Sequence, residues 1–424
     1  MENHIYLCID LKTFFASCEC AERGLDPFKT NLVVADPSRG EGAICLAITP
    51  AMKALGIKNR CRIFEIPKYV KYIIALPRMK LYIKYAAKIY SIYLRYISKD
   101  DIHPYSIDEM FLDVTSYLKL YKMTETQFAR FLMNKIYEEL HIIATAGIGT
   151  NLFLCKVALD ITAKKVKSNI GYLDEEKFKR ELWNHRPLSD FWQISTGIET
   201  RLNKMGIYTL KQVCEAKEED LYKEFGVNAE ILIDHAHGKE PLTIKDIHEY
   251  KPKSNSLSQG QVLFSDYTFS SARLVLKEMV ELLSLQLVDE RLVTSHISLS
   301  VGYSKEYNKT TGASIALNMS TNVYSKLLLE FLNLYDNTTI HGLPIRRINI
   351  SVGNLKSEDF ETFDLFTDPQ EIIKERNLER TINSIKKKYG KNSILKAMNL
   401  VEGATTIKRN KLIGGHNSGE DEIK

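Results

Sequence analysis

No stretch of about 18 consecutive apolar residues occurs in the 424-residue chain, so a membrane-spanning helix is not expected. The start, MENHIYLCID, carries an early acid and no long apolar core; no secretory signal is read, and a cytoplasmic location follows. Cysteine is scarce and shows no CxxC spacing. The seven residues (Cys8, Cys18, Cys20, Cys45, Cys61, Cys155 and Cys214) are odd in number, which excludes a disulfide framework and a cysteine-rich zinc site. Nor is there a large excess of one charge. Lys plus Arg number 58 and Asp plus Glu 53, a net charge of +5 that permits a polyanionic partner without demanding one.

What is present belongs to a globular protein, with 44% hydrophobic and 26% charged residues. A chain of this length exceeds one ordinary core and predicts roughly two to four domains. Ile5–Asp10 is a short apolar run ending in an acid, a buried strand. FFASCECAERGL predicts a helix closing on Gly24; NLVVAD and AICLAIT predict strands; PAMKALG opens a helix with Pro and ends it with Gly. Tyr82, Tyr85, Ala86, Ile89, Tyr93 and Tyr96 recur at helical spacing within Met79–Ile97, an aromatic stripe that reads as core. A hairpin around residues 105–113, a helix over Glu125–Leu140 and a strand in IIATAGIGT follow. The order strand–helix–strand–strand–helix–strand is that of a ferredoxin-like α/β layer.

From about residue 170 the pattern changes to short helices, and DFWQISTGIETRLNKMGIYTLKQVCE predicts two of them joined by a tight turn. HEYKPKSNSLSQGQ reads as a polar linker. Beyond it comes a second α/β pattern: a helix at Ser271–Asp289, strands in SHISLSVGYS and GASIALNMS, a helix at Val323–Leu334 and a strand in IRRINISVGNL. The remainder is polar, with an apolar knot, TFDLF, a basic helix, and an end, GGHNSGEDEIK, that looks frayed.

The run YSIDEMFLD sets Asp108 and Glu109 side by side inside a strand-like stretch. Acids are poor strand formers, and adjacent carboxylates repel. Strand alternation places the pair at a hairpin tip, and Asp10 ends the first strand. If these strands are neighbours, three carboxylates converge at one sheet edge, and bound Mg²⁺ is the natural compensator. Two such ions, shared with phosphate oxygens, are the apparatus of phosphoryl transfer. On spacing alone a turn with solvated acids accounts for the pair equally well.

CIDLKTFFASCE and YSIDEMFLDVT resemble the two metal-binding segments of the Y-family DNA polymerases, in the UmuC/DinB lesion-bypass branch. ALGIKNRCRIFEIP, TAGIGTNLFLCKVALDITAKK and HAHGKE stand where that family has matching segments. The likeness spans roughly residues 4–410 and is nearest to the UmuC-like polymerases of Gram-positive bacteria and their mobile elements. It implies an α/β (α+β) chain: a ferredoxin-like palm (1–20 and 78–170), small fingers (21–77), a helical thumb with a helix-hairpin-helix-like element (171–242), an α/β little finger (243–355) and a C-terminal tail (356–424). It implies a DNA-templated DNA polymerase of the translesion type. Such an enzyme adds dNTPs to a primer 3′ end by two-metal phosphoryl transfer, with low fidelity, in DNA repair and SOS damage tolerance. No length remains for a proofreading exonuclease.

The resemblance also implies roles residue by residue. Asp10, Asp108 and Glu109, with the Leu11 backbone carbonyl, would hold two Mg²⁺ ions, one lowering the pKa of the primer hydroxyl and one bridging the triphosphate. Asp113 reads as a structural partner. Phe15 takes the steric-gate position against a 2′-hydroxyl, Phe14 accompanies it at the nucleotide, and Glu19 lies one helical turn on as a brace. Lys53 and Lys164, or its neighbour Lys165, would reach the triphosphate, while Thr49 and Pro50 stand where the family often places a Tyr. Gly197 and Gly206 mark backbone contact with a DNA phosphate, although the hairpin reads QIST where glycines are expected. Ser304, Lys305, Arg346 and Arg347 would track the duplex backbone. Phe363, Leu365 and Phe366 resemble the segment that docks bacterial polymerases on the sliding clamp, with Thr362 replacing the favoured Gln. The implied partners are primer–template DNA, dNTP, the clamp and accessory SOS subunits, with no membrane. A nucleotide cyclase and a non-catalytic DNA-binding protein are the competing classes; the presence of all three acids speaks against the second.

Overall fold

Tyr6–Leu11 (β1) reads YLCIDL, apolar to both sides apart from Asp10, and such a strand has to be covered on both faces. The structure, a computed structural model, describes residues 4–252, 255–360 and 368–419. They divide into two units, 4–250 with 416–419, and 251–415.

In the first unit β1 leads into α1 (Phe14–Glu22). Then β2 (Leu32–Val34), β3 (Ala47–Ile48), α2 (Pro50–Ala54) and β4 (Ile73–Ala75) build a small layer with strand order β3-β2-β4. Its alternation is plain: Leu32 and Val34 join the main core while Val33 packs with Ile48, Met52 and Ile66. There follow α3 (Met79–Leu94), β5 (Ile102–Pro104), β6 (Glu109–Asp113), α4 (Thr115–Tyr121), α5 (Glu125–Leu140), β7 (Ala144–Gly149), α6 (Leu152–Val157) and β8 (Ile170–Leu173). The sheet runs β5-β6-β1-β7-β8. Its first four strands with α3 and α5 are the expected ferredoxin-like layer, and β8 extends it parallel to β7. Tyr82, Tyr85, Ile89 and Tyr93 on α3 and Phe128, Leu132 and Ile136 on α5 fill one core, so the aromatic stripe is internal.

The helices α7 (Glu175–Leu182), α8 (Thr196–Lys204), α9 (Leu210–Glu215), α10 (Glu218–Phe225) and α11 (Asn228–Ala236) share another core around Phe178, Leu202, Leu210 and Leu221. Ser195 and Thr209 cap α8 and α9 by accepting from the N–H groups of Ile198 and Gln212. Then α12 (Ile244–Glu249) sets Ile244 against Tyr6, Phe111 and Leu152, within the first unit, which runs to residue 250.

The second unit runs β9 (Leu257–Tyr267), α13 (Phe269–Asp289), β10 (Leu292–Tyr303), β11 (Thr310–Thr321), α14 (Tyr324–Thr338) and β12 (Ile345–Gly353). Its strand order, β11-β10-β12-β9, has every neighbouring pair antiparallel. Ile297, Leu299, Ile348 and Ile350 face the helices, while Ser298, Ser300, Asn349 and Ser351 lie on the other, half-exposed face. Two expectations are corrected here. The stretch read as linker contributes the first five residues, Leu257–Gln261, of the edge strand β9, whose inward positions include Gln259 and Gln261 and so hide the period-2 pattern. The polar tail is also folded into this unit. Here α15 (Pro369–Tyr389) packs along α13, and α16 (Thr406–Asn410) begins on the buried carboxylate of Glu278. Glu278 accepts from the N–H groups of Thr405 and Thr406 (2.7 and 3.2 Å), from the Thr405 hydroxyl (3.0 Å) and from Asn399 Nδ2 (3.1 Å).

The end read as frayed returns, at residues 416–419, to the first unit. The carbonyl of Ser418, a residue 3% exposed, accepts from the Lys80 N–H at 3.0 Å. Phe363, Leu365 and Phe366 lie outside the described residues. Among the described residues no helix is long and apolar enough to cross a membrane.

Candidate active site

The antiparallel register of β1 and β6 runs from Tyr6 opposite Asp113 to Asp10 opposite Glu109. Asp108 directly precedes β6, and its carbonyl accepts from the Leu11 N–H at 3.0 Å. The first aspartate therefore meets the hairpin tip, and all three acids stand at one edge of the sheet. The tip is fixed by Ser106, whose hydroxyl donates to Asp108 Oδ1 (2.7 Å), and by the Tyr105 and Ser106 N–H groups, both 3.0 Å from the Glu109 carbonyl. Glu109 is only 8% exposed, which rules out a turn of solvated acids.

Burial, then the neighbouring Asp108, pushes the Asp10 carboxyl up to about 7, against the pull of Lys164. Hard oxygen donors held at such cost suit a divalent cation. Asp10 and Asp108 fit that role. Glu109 is otherwise engaged: Lys156 Nζ lies 2.8 Å from its Oε1 and 3.0 Å from its Oε2, and the Cys8 thiol donates to Oε1 at 3.0 Å. Among the described residues no group of three or more His, Cys, Asp or Glu side chains is arranged to hold a metal ion.

Lys156 reaches the acid because α6 and the wide π turn after it (Ala158–Thr162) lie directly on β7. A Cβ at Gly147 would fall 2.0 Å from the Cys155 carbonyl oxygen, and one at Gly149 would fall 2.2 Å from the Cys155 nitrogen. Only glycine permits this approach. Asn151 caps α6, its side chain accepting from the Leu154 N–H at 2.8 Å. Lys156 Nζ is also 2.8 Å from Asp160 Oδ2, and Asp160 Oδ1 is 2.8 Å from Lys164 Nζ. Burial opposes the charge on Asp160, yet Lys156 and Lys164 hold its carboxyl below the usual range. Lys156 and Asp160 were missed from sequence; their signal was the spacing of four that they share with Lys164.

Burial draws the ammonium of Lys53 down, Asp10 raises it, and Lys164 and Lys12 lower it further, so these three lysines share the field of Asp10. Lys12, in the turn that follows β1, was not foreseen. Its Nζ donates to Asn169 Oδ1 at 2.6 Å. Lys165 is exposed.

Of the phenylalanine pair, Phe14 is 3% exposed and belongs to the core, which leaves only Phe15 with an open face. The Phe15 ring stacks on Tyr82 with centroids 4.6 Å apart and planes at 23°. The Tyr82 hydroxyl donates to Glu19 Oε1 at 2.8 Å; Glu19, fully buried, also accepts from Arg78 Nε (3.0 Å) and Nη2 (2.7 Å) and from Arg23. Glu19 thus braces the ring through Tyr82. Asp113 is a structural partner, accepting from the Thr115 N–H at 3.0 Å and lying 2.9 Å from His4 Nδ1. Thr49 is structural too: its hydroxyl donates to the Thr30 carbonyl at 2.8 Å.

Gly197 lies in the first turn of α8, and Gly206, with φ +80°, follows its last. In the second unit Ser304 is buried, and its hydroxyl has no partner among the described residues. Lys305 is exposed, Arg346 lies 3.7 Å from Asp266, and the exposed Arg347 extends over Gly302.

Residues 9–160 match the model of the impB/mucB/samB family, and residues 254–365 match that of its C-terminal domain. The chain is 32% identical to UvrX of Bacillus subtilis (strain 168), named for UV-damage repair, over 97% of each chain. It is 28% identical to DNA polymerase IV 2 of the same organism, over 98% of this chain and 99% of that one. Among solved structures, the Y-family DNA polymerase chimera Dbh-Dpo4(243-245)-Dbh shares the fold with a TM-score of 0.61 at 21% identity, over 83% of this chain and 99% of that one.

Proposed function

The chain belongs to the impB/mucB/samB family of UmuC/DinB-type Y-family polymerases, and from that membership we propose that it copies damaged templates by two-metal addition of dNTPs to a primer 3′ end. It is a DNA-directed DNA polymerase of the translesion type. The observation that carries the mechanism is the register that sets Asp10 opposite Glu109 with Asp108 at the adjoining tip. Asp10, Asp108 and the Leu11 carbonyl would hold Mg²⁺, joined by Glu109 once it parts from Lys156; bound there, the ions supply charge stabilisation and a more acidic primer hydroxyl.

The protein's own residues do the rest. Lys12, Lys53 and Lys164 offer cationic donors to a triphosphate, whose charge offsets their mutual repulsion. Phe15, backed by Tyr82, crowds the sugar 2′ carbon and excludes a ribonucleotide. The small layer β3-β2-β4, with strands of two and three residues, offers little surface to check a nascent pair; this supports low fidelity and tolerance of lesions. The start of α8 and the open face of the second unit, with Arg347, Ser298, Ser300, Asn349 and Ser351, suit sequence-independent contact with the DNA backbone. The reading extends to SOS damage tolerance, with the sliding clamp and accessory subunits as partners.

Primer extension on undamaged and lesion-bearing templates tests it. Asp10→Asn and Asp108→Ala should each lower Mg²⁺-dependent extension by about a thousandfold or more, since the ion site itself is lost. DNA binding, followed by fluorescence anisotropy, should survive. Extension retained in both variants removes the metal assignment, and product formed without primer or template points to a cyclase.

A further inference from the structure

Four side chains form an unbroken line of alternating charge in the first unit: Glu109, Lys156, Asp160 and Lys164. Each link is 2.8 Å at its closest. Lys156 is 7% exposed and Glu109 8%, so the inner link is shielded, whereas Lys164 stands in solvent. Steps of four residues put Lys156, Asp160 and Lys164 on one helical face. Asp160 lies within the π turn, an irregularity frequent at functional sites. The close seat of this helix on Gly147 and Gly149 sets how far Lys156 reaches.

The two ends of the line are the groups that the polymerase reading uses, a metal ligand and a phosphate donor; the two inner members have no part in it. Lys156 contacts both oxygens of Glu109, the same two atoms that a metal ion would use. Two cations on one buried carboxylate repel. Lys156 already holds a second acceptor, Asp160, at 2.8 Å. Asp160 is in turn shared with Lys164.

We propose that Lys156 is a built-in cation stand-in at Glu109, and that Asp160 is the seat to which it withdraws when metal binds. The withdrawal loosens Asp160 from Lys164 and frees that ammonium for the incoming triphosphate. Lys156 and Asp160 are therefore positioning residues, acting through Glu109 and Lys164. The inference rests on the polymerase reading.

The test uses the full chain with a dideoxy-terminated primer–template, so that metal affinity is read without turnover, by Mn²⁺ electron paramagnetic resonance. Asp160→Asn leaves Lys156 no charged seat but Glu109 and should weaken Mn²⁺ binding about tenfold; Asp160→Glu should restore it. Lys156→Met removes the competitor and should tighten Mn²⁺ binding about tenfold, also in the Asp160→Asn background. In extension assays the Asp160→Asn defect should fall on the Mg²⁺ concentration for half-maximal rate far more than on kcat. Unchanged Mn²⁺ affinity in Lys156→Met, or no reversal in the double variant, overturns the proposal. If Asp160→Asn does not fold, Lys156→Met alone decides. Failure of the wild type to extend a primer would instead sink the polymerase reading, while the Mn²⁺ measurement still reports on Lys156.

Discussion

Replacing Tyr82 with leucine tests how the ring of Phe15 is held. Phe15 lies nearly face to face on Tyr82, centroids 4.6 Å apart, and the Tyr82 hydroxyl is tied at 2.8 Å to Glu19, which Arg78 anchors. A stacked pair of this kind is worth about 0.5–1.5 kcal/mol beyond its buried area. If the ring excludes a 2′-hydroxyl by being held still, loss of the stack should lower the dNTP-over-rNTP ratio of kcat/KM by about 2- to 13-fold. Phe15→Ala, which removes the ring itself, should lower it much further. Tyr82→Phe separates the two supports: it keeps the stack and drops one hydrogen bond to Glu19. Discrimination should then stay within about twofold of wild type while stability falls by about 1 kcal/mol. Single-nucleotide primer extension with dNTP and rNTP gives the ratios, and urea melts show which variants are folded. Wild-type discrimination in a folded Tyr82→Leu protein would reduce the stack to packing. Unchanged discrimination in Phe15→Ala would place the gate elsewhere.

Two further outcomes concern the second unit. Burial, with Glu375 adding to it and Ser284 opposing, pushes the Glu379 carboxyl up from 4.5 to about 7. The folded chain therefore keeps a proton that the unfolded chain has released, so stability should rise as pH falls from about 8 toward 5, by at most about 3 kcal/mol. Glu379→Gln should flatten this dependence, and a urea midpoint in the wild type that ignores pH would contradict it. Glu278→Ala strips four hydrogen bonds from Asn399, Thr405 and Thr406 and should cost about 3–5 kcal/mol, with new proteolytic cleavage near α16. An unaltered urea midpoint would show that the C-terminal residues hold on by other means.

Much of the architecture was legible because apolar residues recur with the right period. The bounds of α5 came out as expected: Thr124 and Gln127 form a capping box at its start, and apolar positions run through to Leu140. The β1, α3 and β7 patterns were equally plain. What escaped was structure whose buried side is polar. β9 turns Gln259 and Gln261 inward, and Gln261, 5% exposed, accepts from Arg409. The C-terminal residues assemble on Glu278 and bury Asn399, Thr405 and Thr406. Hydrophobic periodicity is silent about a core built on buried polar side chains, because their pairing depends on partners far away in sequence.

The candidate site divides along a related line. Asp108 and Glu109 stood out because like charges in a strand need a reason, but their meeting with Asp10 was conditional on the two strands being neighbours; in the pairing found, a slip of one residue between β1 and β6 would turn Glu109 to the other face. Lys156 gave no such warning. Within LFLCKVAL it looks like one lysine interrupting an apolar helix. The clue lay in the preceding strand, where Gly147 and Gly149, two residues apart, share a face and leave no room for a side chain. Bare backbone on that face means that the following helix must settle onto the strand itself. A lysine carried on such a helix cannot reach water cheaply, so it must find a carboxylate on the sheet. Read in that order, the glycines predict a buried cation beside β1 and β6, and the acid pair at the tip is the partner the geometry offers it.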